Sequence, residues 1–126
     1  MEEGERKGNR VKECSFQFAL RIVKLCRFLE EEKKEYVLSK QLLKSGTSIG
    51  ALVREAEHAE SKADFIHKMA IALKEANETV YWIDLLHQSQ ILEKKAFDSI
   101  NSNIIELLKL LTSIVKSSKT NRLDRS

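Results

Sequence analysis

The chain contains no proline, and its four glycines, Gly4, Gly8, Gly46 and Gly50, all lie within the first 50 of 126 residues. Residues 51–126 therefore carry no backbone breaker. Such a stretch cannot readily make the repeated tight turns of an all-β or α/β fold. Hydrophobic residues are 42% of the chain and charged residues 33%, too apolar a balance for a disordered chain. The expectation is one soluble, all-α domain.

Hydrophobic periodicity divides the chain into four helices. Residues 1–13 are charged and lack apolar periodicity, so they read as a flexible N-terminal segment. Helix one spans about Cys14 to Glu32 with two adjacent apolar rows, Phe16/Ala19/Val23/Cys26 and Phe18/Ile22/Leu25/Leu29. The polar run Glu30–Glu35 marks the first turn. Helix two spans about Tyr36 to Ala59, with a seam at Leu38, Leu42, Ser45, Ile49, Leu52, Ala56 and Ala59. Spacings of four and three give a heptad pattern. Ser61 reads as an N-cap, with Asp64 completing a near capping box, and helix three runs from about Lys62 to His87. Its seam is Ile66, Met69, Leu73, Ala76, Val80 and Ile83. Helix four runs from about Glu93 to Ser117, with a seam from Phe97 through Ile100, Ile104, Leu107 and Leu111 to Ile114. Short connections predict an antiparallel up-down-up-down bundle over residues 14–118, crossing left-handedly at about 20°. Residues 119–126 form a C-terminal tail.

The small stretch Ser45–Ala51 interrupts helix two's larger side chains. Glycine in a helix interior costs about 1 kcal/mol relative to alanine. Two glycines one turn apart imply either close approach of a neighbouring helix or a kink. A phosphate-binding loop has no support, because no strand precedes them and no Gly-Lys-Ser/Thr follows.

The net charge is +3, and all of it resides in residues 116–126, where Lys116, Lys119, Arg122 and Arg125 face one acid, Asp124. The tail is either a solvated end or a short phosphate-contacting segment. No window is long and apolar enough for a transmembrane helix, and the N-terminus lacks the features of a secretory signal. A cytoplasmic protein without a membrane partner is expected. Cys14 and Cys26 are twelve residues apart on one helix, roughly 18 Å. A disulfide needs Cα atoms within about 7 Å, so both read as reduced thiols.

Helices one and four carry more apolar residues than one thin core requires. Phe18, Ile22 and Leu29, with Ile105, Leu108 and Leu110, form a surplus that implies an oligomer interface. The alternative is cover by the stems of Lys24, Arg27 and Lys109. Trp82 beside the helix-three seam is either flank packing or an interface anchor. Arg54, Glu55, Lys74, Glu75 and Glu78 cluster near small alanines and read either as a polar network between helices or as plain surface charge.

No residue pattern points to catalysis. Each histidine follows an acid by three residues (Glu55/His58, Asp64/His67, Asp84/His87), half of a ferritin-like di-iron motif. Two such motifs with inward carboxylates from the other helices are needed, and the seams provide none. No metal or cofactor is expected, and the chain reads as a non-enzyme.

The segments Ser45-Gly46-Thr47-Ser48-Ile49-Gly50-Ala51-Leu52-Val53-Arg54-Glu55-Ala56, Ser61-Lys62-Ala63-Asp64-Phe65-Ile66-His67-Lys68-Met69 and Ile71-Ala72-Leu73-Lys74-Glu75-Ala76-Asn77-Glu78-Thr79, with Tyr81-Trp82, resemble a known family. It is the bacterial four helix bundle protein family, which includes proteins encoded in intervening sequences of 23S ribosomal RNA genes. The chain is also similar to the accessory variability protein of diversity-generating retroelements. Leu52 stands where the family usually has Asn, so a polar contact from that side chain is missing. The resemblance implies a homo-oligomeric ring, typically a homopentamer. It also implies binding of RNA or an RNA-handling protein, with Lys116, Lys119, Arg122 and Arg125 as candidate contacts. The other reading is a purely structural scaffold for a protein partner of the reverse-transcriptase accessory type.

Overall fold

A computed structural model describes the backbone of residues 2–125 and the side chains of residues 4–120. Four helices follow one another: α1 (Glu2–Glu31), α2 (Val37–Glu57), α3 (Lys62–Gln88) and α4 (Lys94–Arg125). Each packs on two others, α1 and α3 both lying against α2 and α4. The fold is a four-helix bundle. No helix among the described residues is long and apolar enough to cross a membrane.

Contacts give the register. On α1 and α2, Cys26 meets Ser39, Ile22 meets Gly46 and Lys12 meets Glu57. One number falls as the other rises, so the pair is antiparallel. Glu55 to Lys68 and Ser45 to Thr79 give the same order for α2 and α3. Lys7 to Ser113, Arg10 to Glu106 and Arg21 to Asn103 do so for α1 and α4.

The helix boundaries follow from local chemistry. Ser61 is extended (φ −154°, ψ 168°), and its hydroxyl accepts the Asp64 amide at 3.0 Å. The Asp64 carboxylate accepts the Glu60 amide at 3.2 Å, one residue earlier than a strict capping box would use. The first turn closes through Lys34 at φ 55°, and the Glu35 carboxylate accepts the Leu38 amide at 2.8 Å. The last turn uses Gln90 at φ 65°; there His87 Nδ1 lies 3.0 Å from the Leu92 carbonyl, and its ring stacks on Phe97 at 4.1 Å.

Helix α1 begins at Glu2, not near Cys14, so residues 2–13 are helical rather than a flexible lead-in. The cause is Val11, the one aliphatic residue in the middle of that segment. It is buried with Ile114 and Val115 in the core. Lys7 donates to Ser113 Oγ and Arg10 pairs with Glu106 along the same stretch. Helix α4 likewise continues to Arg125, past the boundary expected near Ser117.

The glycines of α2 serve close approach, and the helix runs through them unbroken. A Cβ on Gly46 would lie 2.9 Å from Ile22 Cγ1, and one on Gly50 would lie 3.4 Å from the Ser15 carbonyl oxygen. In α3, Ala72 and Thr79 are buried while Leu73 and Val80, one residue on, are half-buried. The small residues are the buried ones, and the Thr79 hydroxyl donates to Ser45 Oγ on α2 at 3.0 Å.

Candidate functional site

The expected interface residues divide into two groups. Phe18, Ile22 and Leu29 are almost wholly buried inside the single chain. They are core, not an exposed surplus, because α1 packs on both α2 and α4 and needs a stripe wide enough for two neighbours. Ile105, Leu108 and Leu110 on α4 and Trp82 on α3 are half-buried, and three of them, Leu108, Leu110 and Trp82, pack against the core. Trp82 also donates Nε1–H to Glu78 at 3.2 Å and meets Tyr81 edge to face at 5.0 Å. It is flank packing within the chain.

Exposed apolar surface lies elsewhere. Of the seven large apolar residues exposed among the described residues, six belong to α1, α2 or the turn between them: Phe16, Leu20, Phe28, Tyr36, Val37 and Leu43. Phe16 and Leu20 are one turn apart on α1. The Arg54 guanidinium on α2 lies 5.0 Å from the Phe16 ring centroid, bridging the two helices on this face. Leu43 precedes Arg54 by three turns and projects to the same side of α2. Neither Phe16 nor Leu20 continues the buried row, and Leu20 belongs to neither of the two rows visible in the sequence.

The five charged residues near the alanines do not converge into one network within the chain. Arg54 covers Phe16, Glu55 pairs with Lys68 at 3.1 Å, and Glu78 holds Trp82. Lys74 is exposed and Glu75 half-buried, and helical packing keeps both beside Ala76 without a shared partner for all five. Among the described residues, no three His, Cys, Asp or Glu side chains gather as metal ligands would. Cys14 and Cys26 are free thiols; burial pushes the Cys26 thiol up to about 11, weakly opposed by the Ser39 hydroxyl beside it.

A cavity of about 1100 Å³ opens at the end of the bundle where α1 and α3 begin and α2 and α4 finish. Its apolar lining is Val11, Val53, Phe65, Met69 and Ile114, and its charged lining is Lys7, Lys12, Lys62 and Lys116 against Glu5 and Glu57. Lys12 pairs with Glu57 at 3.2 Å, and the Lys62 ammonium lies 5.7 Å from the Phe65 ring centroid. Helix extension beyond the sequence-derived boundaries of α1 and α4 creates two of its walls. No local pattern marks this site in the sequence, because those walls come from segments that carry no apolar periodicity. Lys116 is the one tail candidate that lines the cavity; Lys119 is exposed on α4, and the side chains of Arg122 and Arg125 lie outside the described residues.

Residues 7–113 match the family described as 23S rRNA-intervening sequence protein. The chain belongs to that family. It is 56% identical to a Bacteroides thetaiotaomicron VPI-5482 protein with unknown function from the S23 ribosomal protein family, known from its crystal structure. The match covers 87% of this chain and 98% of that one, with a TM-score of 0.86. No curated protein matches. In this chain Leu52 is half-buried against the core, so an apolar contact occupies the position where the resemblance places Asn.

Proposed function

We propose that this member of the family is a non-enzymatic homo-oligomeric bundle that binds RNA or an RNA-handling protein. The observation that carries the assembly is the exposed apolar surface of α1 and α2, with Arg54 over Phe16 and Leu20 one turn farther along α1. Apolar area left in water costs about 25 cal/mol per Å², so exposed apolar side chains gathered on two packed helices favour cover by another copy. Copies joined through this face form a ring, a homopentamer as the family resemblance implies, and the basic bundle ends with Lys116 and Lys119 stand clear of it as the anion-contacting surface. The alternative, a scaffold for a protein partner, is favoured by Tyr81, an aromatic side chain 58% exposed on α3 away from that face.

Solution mass by light scattering, without nuclease treatment and with the 260/280 nm absorbance ratio recorded, tests the proposal. A mass near five chains with excess absorbance at 260 nm supports assembly with RNA. The same mass with protein-like absorbance supports the scaffold. A 14.5 kDa monomer rejects the assembly.

A further inference from the structure

From the end cavity we infer a binding site for an unpaired RNA segment, with bases on the Phe65 floor and phosphates on Lys62 and Lys116. This inference rests on the RNA branch of the proposed function and gives it a location. Three features of the cavity select the ligand. Among the described residues, four lysines against two glutamates line the cavity, a cationic balance that favours an anion. The floor is apolar and includes an aromatic ring, so a free inorganic anion would leave most of it unused. The volume, about 1100 Å³, exceeds the roughly 300–1,000 Å³ typical of small-molecule pockets and suits part of a longer chain.

A nucleotide chain has both required parts at the right scale. Single strands are held by a basic groove along the backbone and by aromatic faces on which bases stack. Phe65 offers such a face, half-buried and fixed on the first turn of α3 beneath Lys62. Lys12 is paired with Glu57 and Lys7 donates to Ser113 Oγ, whereas Lys62, beside the Phe65 ring, and Lys116 are both exposed at the cavity with their ammonium groups available to phosphate. A duplex keeps its bases paired and stacked, so it cannot offer one to Phe65.

The test is fluorescence anisotropy with the full chain and a short labelled oligoribonucleotide, unpaired or annealed to its complement, titrated with salt. The unpaired strand binds more tightly than the duplex. Lys62→Gln with Lys116→Gln reduces the slope of log K against log salt by about 1.4, about 0.7 per lost phosphate contact. Phe65→Leu weakens binding about five-fold or more and leaves the slope unchanged. Circular dichroism of each variant confirms retained helix, and Lys40→Gln, exposed at the start of α2 at the opposite end of the bundle, leaves the affinity unchanged. Strand binding that ignores both the lysine pair and Phe65 overturns the cavity assignment while the RNA reading stands. Preference for the duplex overturns the inference likewise. Absence of any RNA binding by the unaltered protein overturns the inference and the RNA reading together.

Discussion

Cys26 and Ser39 hold each other across the seam of α1 and α2: the Cys26 thiol donates to the Ser39 carbonyl at 3.3 Å, and the Ser39 hydroxyl donates to the Cys26 carbonyl at 3.2 Å. Both side chains are buried. Burial, the main cause, and Glu30 raise the thiol from 9.0 to about 11, while the nearby Ser39 hydroxyl, a donor to the thiolate, partly opposes them. The unfolded chain therefore loses this proton near pH 9, and the folded chain keeps it to about pH 11. Across that window the folded state binds more protons, so stability falls as pH rises. The contribution is complete below pH 9 and is lost between there and about pH 11. Denaturant midpoints measured over this range should fall more steeply for the unaltered chain than for Cys26→Ala. Equal slopes would reject the assignment. Thiol labelling of the folded protein at neutral pH should modify Cys14 first, since it is only half-buried.

The two glycines of α2 should respond to alanine with opposite signs. At Gly50 the new Cβ meets the Ser15 carbonyl at an ordinary 3.4 Å, so Gly50→Ala should stabilise by about 0.5–1 kcal/mol through helix propensity. At Gly46 the same gain competes with a 2.9 Å encounter with Ile22, a fully buried branched side chain that cannot swing aside. Overpacking of this kind costs about 1–3 kcal/mol, giving a net loss of up to about 2 kcal/mol for Gly46→Ala. Ile22→Ala alone should cost about 2–5 kcal/mol. The double variant should lose less than the sum of the single losses, because the added methyl enters the space vacated by Ile22. Strict additivity in chemical denaturation would show that the two residues are not in the described contact.

Ser61 provides a smaller test at the start of α3. Its hydroxyl accepts the Asp64 amide at 3.0 Å, satisfying one of the free donors of the first turn. Ser61→Ala should cost about 1 kcal/mol, and Ser61→Asp should keep most of that stability. In thermal melts the unaltered chain and the Ser61→Asp variant should both unfold above Ser61→Ala. Indistinguishable melts for all three would mean that the cap is not formed.

What could be read in the sequence and what could not divides along physical lines. Helix number, the three turns and the Ser61 cap depend on local pattern, and all appear in the structure. The orientation of a helix about its own axis depends on how many neighbours it has. Two apolar rows on α1 suggest one core row and one surplus, yet Phe18, Ile22 and Leu29 are all core, and the exposed large apolar residues are Phe16, Leu20 and Phe28. The helix ends escaped for a different reason. Val11 is too isolated to produce periodicity, and only its burial in the core, with the Lys7–Ser113 and Arg10–Glu106 contacts beside it, shows that this part of α1 packs along α4. The end cavity, being made by those extensions, was therefore invisible. Lys116 was legible as a basic residue but not as a neighbour of Phe65 and Lys62.

Leu20 and Ile22, two residues apart on α1, separate assembly from folding. Leu20 is 43% exposed beside Phe16, whereas Ile22 is fully buried against Gly46. A carboxylate at position 20 stays in water in the isolated chain and is desolvated only if this face is covered by another copy. Leu20→Glu should therefore preserve helix content and, under the proposed assembly, reduce the solution mass to that of one chain. A carboxylate at position 22 would be buried without a partner in any state, at a cost of several kcal/mol, so Ile22→Glu should unfold the chain whatever its assembly. Light scattering and circular dichroism on the same samples distinguish the outcomes. A folded Leu20→Glu protein that keeps the full oligomer mass would place the joining face away from Phe16, Leu20 and Arg54, and would reject this α1 and α2 surface as the contact between copies.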